Sequence, residues 1–259
     1  MGKLNYISLF KKLVFIALIL FIWELCSKYN IINSQVLSSP SELFNQFSIL
    51  LYSGEILKDS ISSLRRVLIG VLIGTLSGTA IAVLMGLIKG LKDYIEVLIE
   101  LFRPIPPIAW IPIAILWFGI GDAPALFLVA LGAFFPLYTN VYKAITHIEK
   151  KHINIARNFG ASDTTVFFKI ILPMLLPSFI SGLKIGLGVG WIIVITAEMI
   201  GAQEGLGYMI QLNRTMLQTP NVIIGMIVIG ILGVCFNKLI NILEHFAVPW
   251  QKRIETLEN

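Results

Sequence analysis

Residues 64–88 read LRRVLIGVLIGTLSGTAIAVLMGLI, a run whose only charged side chains are Arg65 and Arg66 near its start. A helix needs about 20 predominantly apolar residues to cross a bilayer, and this run exceeds that length. Small residues recur at every fourth position, a spacing that stacks them on one helix face: Gly70, Gly74, Gly78, Ala82 and Gly86. The run therefore predicts a membrane-spanning helix with one face smooth enough for another backbone to approach closely.

A second stripe of small residues lies in a later apolar run, at Ser178, Gly182, Gly186 and Gly190. Three uses fit such a stripe: packing between helices of one subunit, lining of a pathway, or contact between subunits. Packing within one subunit is the simplest interpretation of both stripes.

The composition of the whole chain is that of a membrane protein. Of its 259 residues, 56% are hydrophobic and only 14% are charged, with a mean hydropathy of +0.84. An ordinary soluble domain carries about 25% charged residues, so a soluble enzyme, a disordered chain and a secreted disulfide scaffold are excluded. Cys26 and Cys235 both lie in apolar runs, so we expect no disulfide framework, no metal cluster and no cofactor. The sequence predicts an all-α integral membrane protein.

Six apolar runs are long enough to cross the bilayer as helices, at 10–27, 64–88, 101–119, 124–143, 179–200 and 222–245. They divide the chain into an N-terminal tail with the first transmembrane helix, an outer linker with an amphipathic segment, a core of five transmembrane helices and a cytoplasmic tail, at 1–35, 36–63, 64–250 and 251–259. Three prolines open the third run, and Pro112 inside it predicts a kink.

The basic residues predict how the helices are oriented. With both termini in the cytoplasm, 13 lysines and arginines fall on cytoplasmic segments, 5 on outer segments and 2 within spans. This asymmetry favours cytoplasmic termini, so the net charge of +5 indicates orientation in a lipid bilayer and not nucleic-acid binding. Arg65 and Arg66 at the outer side, and Lys184 near an inner end, are interpreted as side chains that snorkel to the headgroups.

The segment from Lys143 to Ser178 is far longer than a connection between two spans requires. Residues 154–159 predict a short helix that Gly160 ends in a left-handed conformation. Ser162 or Asp163 can cap a second short helix over 164–171, which Pro173 is expected to terminate.

Three aromatic side chains, Phe159, Phe167 and Phe168, are expected to be exposed on this pair of short helices. An exposed aromatic cluster on a helix–glycine–helix unit favours a docking surface for another protein. The alternative is that the aromatics simply rest on the membrane interface.

These residues resemble the cytoplasmic EAA loop of ABC importer permeases, which Ala156, Gly160, Ile170, Leu172 and Pro173 fit. The loop departs from the family pattern at Asn154, where the family has glutamate, and at Ile155, where it has alanine. Further stretches resemble the nitrate, sulfonate and taurine permease branch: LSSPS at 37–41, SLRRV at 63–67, RPIPPIAWIP at 103–112, ILWFGIG at 115–121, LGAFFP at 131–136, AEMI at 197–200 and GLGYMI at 205–210. The likeness covers roughly residues 36–250.

The resemblance implies the type I ABC importer permease fold, in a multi-pass subunit of a bacterial cytoplasmic membrane. It also implies two cytoplasmic ATP-binding subunits, an extracytoplasmic substrate-binding protein and a permease homodimer. The chain lacks a Gly-x-x-x-x-Gly-Lys-[Ser/Thr] phosphate loop, so we expect no enzyme activity in this subunit. The implied ATPase-coupling residues are Asn154, Ala156, Arg157, Phe159, Gly160, Ala161, Ser162, Ile170, Leu172 and Pro173.

The solute implied by the resemblance is nitrate, a sulfonate or a taurine-like compound, with a vitamin precursor or aromatic solute as the alternative. An ion-coupled secondary transporter fits less well, because the mid-span positions are almost all apolar or small. A membrane-embedded enzyme fits least, because no His-Glu-x-x-His or Gly-x-Ser-x-Gly motif occurs.

Five residues are candidates for the substrate pathway or its gate: Trp110, Trp117, Trp191, Glu198 and Gly201. Tryptophans also serve as interfacial anchors. Glu198 lies close to an outer end, where a carboxylate can be an external gate, a contact for the binding protein or a solvated interface residue.

Overall fold

The computed structural model describes residues 6–29, 31, 37–88 and 90–247, and this part of the chain is helical throughout apart from its connections. A short 3₁₀ turn covers Pro107–Trp110 and a π-helical turn covers Phe167–Ile171. The α-helices are α1 (Tyr6–Lys28), α2 (Pro40–Tyr52), α3 (Glu55–Leu87), α4 (Leu91–Phe102), α5 (Ile111–Phe118), α6 (Asp122–Thr146), α7 (Lys150–Asn158), α8 (Asp163–Val166), α9 (Leu172–Gly201), α10 (Leu206–Thr215) and α11 (Thr219–Ala247).

Four described helical stretches are long and apolar enough to cross a membrane: Glu55–Leu87, Asp122–Thr146, Asp163–Gly201 and Thr219–Ile242. The bent pair Leu91–Phe102 and Pro107–Phe118 gives a fifth candidate. The first predicted span, 10–27, coincides with α1, but the side chains of residues 6–9 and 13 lie outside the described part of the chain. The count of six spans therefore stays a prediction. The tail at 251–259 also lies outside the described residues.

The third predicted span is wrong as a single helix. Instead of a continuous helix over 101–119, the chain turns by 86° between α4 and the stretch Pro107–Phe118. Prolines at 104, 106 and 107 lack N–H donors and disfavour helical geometry in the residue before each of them, so the helix cannot continue. Pro112 then lies in the first turn of α5, where proline is tolerated, and the break precedes it.

The second span begins earlier than predicted, because α3 starts at Glu55 and not at 64. The boundary between 36–63 and 64–250 therefore lies inside a helix. Gly54 has a left-handed φ of +79° that ends the turn after α2 and lets α3 begin. The polar residues that made 55–63 resemble a linker are accommodated by contacts with other elements, described below.

Close packing of α3 and α9 against α6 forms the centre of the subunit. A Cβ added at Gly74 would lie 2.3 Å from the carbonyl oxygen of Ala130, and one at Gly78 would lie 2.6 Å from that of Phe134. A Cβ added at Gly182 or Gly186 of α9 would lie 3.1–3.3 Å from atoms of α6. Both glycine stripes therefore serve packing within this subunit, the first of the three uses considered above.

The glycine stripe generates a stability prediction. Gly74→Ala places a methyl group against backbone of α6, which cannot move as a flexible side chain can, and we expect a loss of about 1–3 kcal/mol. Gly230→Ala is the matched control, because a Cβ there meets nothing within 4 Å. Thermal unfolding of the detergent-purified protein measures both. Equal melting temperatures for the two variants would contradict the packing role of the stripe.

Candidate functional site

The connection between α6 and α9 forms a helix–glycine–helix unit, here called the elbow (residues 150–171). Its first helix, α7, begins at Lys150 and ends at Asn158, so it starts before the predicted 154. Gly160 has a φ of +82°, and its N–H donates to the carbonyl of Arg157 at 2.9 Å. The N–H of Ala161 donates to the carbonyl of Ala156 at 3.0 Å. These two bonds form a Schellman motif, so the predicted left-handed stop at Gly160 is confirmed.

Two polar contacts fix the angle between the halves of the elbow. The Ser162 hydroxyl caps α8 by accepting a hydrogen bond from the N–H of Thr165 at 3.3 Å, as one of the two predicted caps. The Arg157 guanidinium lies 2.8 Å from the Asp163 carboxylate and so bridges α7 to α8. Both side chains remain more than half exposed, so this ion pair orients the elbow more than it stabilises the fold.

The elbow presents an apolar face to its surroundings. Phe159 is 88% exposed and Phe168 is 63% exposed, whereas Phe167 packs partly against the interior. The predicted exposure is thus confirmed for two of the three aromatics and wrong for Phe167. Asn154 and Pro173 are exposed, and Leu172 is 45% exposed.

A shallow groove of about 510 Å³ lies beside this face, where Ile170 and Pro173 line it with Lys169, Met174 and Pro177. Most of the predicted coupling residues are thus exposed, whereas Ala156 and Ala161 pack partly against the buried cluster beneath the elbow.

The inner side of the elbow is held to the membrane helices by apolar contacts. Val166 and Ile171 are buried in a cluster with Met85 of α3 and with Val141 and Ile145 of α6. Burying a side chain of this size contributes about 1.5–3 kcal/mol. The elbow is thus anchored on the ends of α3 and α6 nearest to it, here called their inner ends, and is not a free loop.

The second half of the elbow is continuous with the span that follows it. The predicted stop at Pro173 is wrong, because one helix runs over 39 residues from Asp163 to Gly201, roughly 58 Å at 1.5 Å per residue. The N–H of Leu172 donates to the carbonyl of Phe167 across a π-helical turn. Pro173 follows directly after this wider turn, in the first turn of α9, where a proline is tolerated.

At the far end of this long helix, Glu198 is fully buried and paired with Arg66 of α3. The Arg66 Nη1 lies 2.7 Å from Glu198 Oε1, and the two side chains are 1% and 0% exposed. The Ser63 hydroxyl and the N–H of Gly207 donate to Glu198 Oε2 at 2.8 and 2.9 Å. The carboxylate is therefore held by three donors, two from α3 and one from the start of α10.

The remaining donors of Arg66 reach two further elements. Its Nε and Nη2 lie 2.7 and 2.6 Å from Asp122 Oδ1, at the start of α6. Its Nη1 also donates to the backbone carbonyl of Glu204 at 2.8 Å. Arg65 pairs with the other carboxylate oxygen of Asp122. One guanidinium thus joins α3, α6, α9 and the loop after α9. These residues lie at the end of α9 opposite the elbow, and we call them the outer network: Arg65, Arg66, Asp122, Glu198 and Glu204.

Glycines let the loop after α9 close over the outer network. Gly205 has a φ of +112°, and a Cβ there would lie 2.5 Å from the Glu198 carboxylate. Its N–H donates to Asp59 Oδ1 at 2.8 Å, and the next N–H, of Leu206, donates to the Ser63 hydroxyl at 2.9 Å. These two backbone N–H groups therefore pair with acceptors on α3. A bulkier residue at 205 would collide with the Glu198 carboxylate and prevent this close approach.

Glu204 is a partly exposed member of this region. It accepts a hydrogen bond from the Ser62 hydroxyl at 2.9 Å, and Lys58 lies 3.6 Å away. The hydrogen bond from Ser62 holds the pKa of the Glu204 carboxyl below its ordinary value. Its stabilising contribution is therefore present above the ordinary carboxyl pKa and is lost as the pH falls through the lowered one.

These contacts correct two interpretations of charged residues. Arg66 does not snorkel to the headgroups but is buried, whereas Arg65 is 53% exposed on its side chain. Glu198 is not a solvated interface residue. The sequence analysis missed Ser63, Asp122 and Glu204 as partners. The signal for them was an arginine next to an apolar run, since a charge that cannot reach water requires a partner.

The other pathway candidates do not meet at one place. Trp110 lines an apolar cavity of about 520 Å³ formed with α4 and α6, and Trp191 packs against Phe236 of α11 at 5.2 Å. Trp117 is 59% exposed on α5. Gly201 is buried and its carbonyl accepts from the N–H of Gly121 at 3.0 Å, which ties the outer ends of α6 and α9 together.

The outer network generates a prediction about Glu198. Glu198→Gln leaves a buried guanidinium short of one charge partner, and we expect a loss of about 3–5 kcal/mol in stability. The double variant Arg66→Met with Glu198→Met removes both charges and should be more stable than Arg66→Met alone or Glu198→Met alone. Glu42→Gln, an exposed carboxylate on α2, is the control. Additive effects of the two single substitutions in unfolding measurements would contradict the pairing.

Comparisons with known proteins agree with this geometry. The chain is 37% identical over 229 residues to the putative aliphatic sulfonates transport permease protein of Escherichia coli, covering 88% of this chain and 87% of that protein. It is 29% identical over 245 residues to the taurine transport system permease protein of Escherichia coli, covering 93% and 89%. It is 28% identical over 192 residues to the nitrate import permease protein of a Synechocystis species, covering 74% and 70%.

The fold matches that of solved ABC importers. An amino acid ABC transporter aligns with a TM-score of 0.57 and 19% identity over 77% of this chain and 97% of that chain. The inward-facing MetNI methionine transporter aligns with a TM-score of 0.56 and 21% identity over 73% and 97%. At these identities the likeness establishes the fold, and it confirms the prediction of an importer-permease architecture.

The family model for the binding-protein-dependent transport system inner membrane component matches residues 61–253. Subunits of this family are multi-pass permeases that work with ATP-binding subunits and a substrate-binding protein. ATP is hydrolysed in a separate subunit, so the permease is not itself an enzyme. The chain belongs to this family of ABC importer permeases, in the branch that contains the sulfonate, taurine and nitrate permeases.

Proposed function

We propose that this permease carries a small oxyanion, a sulfonate, taurine or nitrate, into the cytoplasm, and that ATPase subunits drive it through the elbow. The relatives named for sulfonates, taurine and nitrate support this solute class. The single observation that carries the coupling role is the exposed apolar face of a rigidly built elbow. Phe159 is 88% exposed, and exposing so large an apolar side chain to water is unfavourable. Its exposure therefore favours a protein partner that covers this side chain.

The site assignments follow from this role. Phe159 and Phe168 enter an apolar cleft of the ATPase subunit, and Gly160 keeps the two halves of the elbow at their angle. Arg157 already has an intramolecular partner in Asp163, so its contribution is to orient the elbow. An acidic residue on the ATPase can share the guanidinium, because that side chain remains 56% exposed.

The route from motor to pathway is the 39-residue helix Asp163–Gly201. Its inner end belongs to the elbow, and its outer end carries Glu198 of the outer network. A displacement of the elbow therefore moves α9, α6 and α3 together, because glycines pack both α9 and α3 closely against α6. In this proposal the core of the subunit turns as one rigid unit.

The assembly has two copies of the permease around a central pathway, with both termini in the cytoplasm and the outer network on the side of the binding protein. The excess of lysine and arginine on one set of connections supports this orientation. A homodimer is supported by the apolar cavity at α4 and α6, because a wall without polar groups that opens on the surface suits contact with another subunit or lipid.

The coupling role predicts that Gly160→Asp abolishes capture of the ATPase subunits and uptake. A side chain at a φ of +82° costs about 1–2 kcal/mol, and it misaligns the apolar face on the elbow. The measurement is co-purification with the ATPase, together with uptake of taurine, an alkanesulfonate and nitrate in proteoliposomes that also hold the binding protein. Vanadate should abolish the uptake by the unmodified complex.

Gly54→Asp is the matched control, since Gly54 has nearly the same φ of +79° and open space around its Cβ. It should keep the ATPase bound. Capture of the ATPase by Gly160→Asp at the level of Gly54→Asp would refute the coupling role. Absence of uptake of all three solutes by the complete unmodified complex would refute the solute class alone.

A further inference from the structure

A cleft of about 390 Å³ opens between α9 and α11, away from the elbow and from the outer network. Its walls combine one cation and one amide with apolar and small residues, among them Lys184, Gly188, Trp191, Gly233, Phe236 and Asn237. Trp191 and Phe236 stack edge to face at 5.2 Å and form a rigid wall. The volume is sufficient for a small organic sulfonate or a nitrate ion.

The cation in this cleft is only loosely paired. Lys184 Nζ lies 3.4 Å from Glu244 Oε2 on α11, and the two side chains are 41% and 37% exposed. A contact of this length uses one of the three N–H donors of the ammonium group. By contrast, Arg66 is enclosed by carboxylates at 2.6–2.7 Å and is inaccessible. Lys184 is therefore a cation within a membrane span that an entering anion can reach.

Gly188 leaves space in the cleft, although no close contact between helices requires a glycine at this position. Gly182, Gly186 and Gly190 of the same helix each pack closely against other helices, but a Cβ at Gly188 meets nothing within 4 Å. Glycine is disfavoured in a helix interior relative to alanine, so its use here is not explained by contacts within the subunit. A missing side chain at 188 widens the cleft beside Lys184.

We propose that this cleft is a subsite of the translocation pathway that binds the oxyanion group of the solute. This inference rests on the proposed function. The Lys184 ammonium and the Asn237 amide donate to the oxygens of a sulfonate or nitrate group, and Glu244 is the counter-ion that the solute displaces. Its chemistry would equally hold the phosphate of a lipid headgroup, and the experiment separates the two sources.

The test places a reactive thiol in the cleft of the complete transporter in proteoliposomes. In a background with Cys26→Ser and Cys235→Ser, Gly188→Cys is treated with two methanethiosulfonate reagents, one bearing a sulfonate and one a trimethylammonium group. We expect the sulfonate reagent to react about tenfold faster relative to the cationic one than it does at Gly230→Cys, which also faces open space but lies outside the cleft. Lys184→Gln should abolish this preference, and Lys238→Gln should preserve it.

Each outcome decides the proposal. A thiol at 188 that reacts with neither reagent faces lipid, and a preference that survives Lys184→Gln does not come from this cation. Either result overturns the subsite. Since the labelling needs no transported solute, these failures are distinct from failure of the solute class.

Uptake and lipid retention provide the second arm. In the unmodified background, Lys184→Gln should raise the KM for taurine or nitrate by about tenfold, the effect of losing one charge-assisted hydrogen bond, with the ATPase still bound. If Lys184→Gln instead lowers the amount of anionic phospholipid that co-purifies and leaves uptake unchanged, the cleft is a lipid site and the proposal is wrong.

Discussion

The fold depends on one buried charge pair, Arg66 with Glu198. Two charges cannot be placed among membrane helices unless each finds a partner and its other polar atoms are satisfied. Here the guanidinium binds two carboxylates and a backbone carbonyl, while the glutamate accepts from a hydroxyl and a backbone N–H as well. Replacing either residue alone leaves the other as a buried charge without this partner. The pair therefore sets the relative position of α3, α6, α9 and the loop that leads to α10.

This constraint at the outer side is matched by apolar anchoring at the inner side. Val166 and Ile171 fix the elbow on the inner ends of α3 and α6, and the continuous helix Asp163–Gly201 joins the two regions. Between them, glycines bring α3 and α9 into direct backbone contact with α6. In the proposed coupling, this close packing lets the three central helices carry a displacement of the elbow across the bilayer together.

Much of this fold could be predicted from residue patterns. Apolar runs located four long membrane helices in the described part of the chain. Four-residue spacing revealed the smooth faces, and Gly160 with Ser162 defined the elbow, because local backbone preferences decide such features. Partners across the structure could not be predicted, since Arg66 meets Glu198 only after four helices have assembled. The prediction that Pro173 ends a helix was also wrong, because a π-helical turn precedes this proline and the helix continues through it. Gly188 lies two positions off the four-residue stripe of its helix, and only the assembled structure shows that its surroundings among the described residues are open.

The claim that the subunit core moves as one rigid unit is tested most directly by a distance between its two ends. Spin labels at Lys151→Cys on the elbow and Leu57→Cys on α3, both exposed positions, would be introduced with Cys26 and Cys235 replaced by serine. The labelled permease would be diluted with unlabelled copies in the full transporter. Pulsed electron resonance without nucleotide and in the vanadate-trapped state should give the same distance within the chain. A shift of several ångströms between the two states would show that the elbow moves independently of the outer end, contrary to this account.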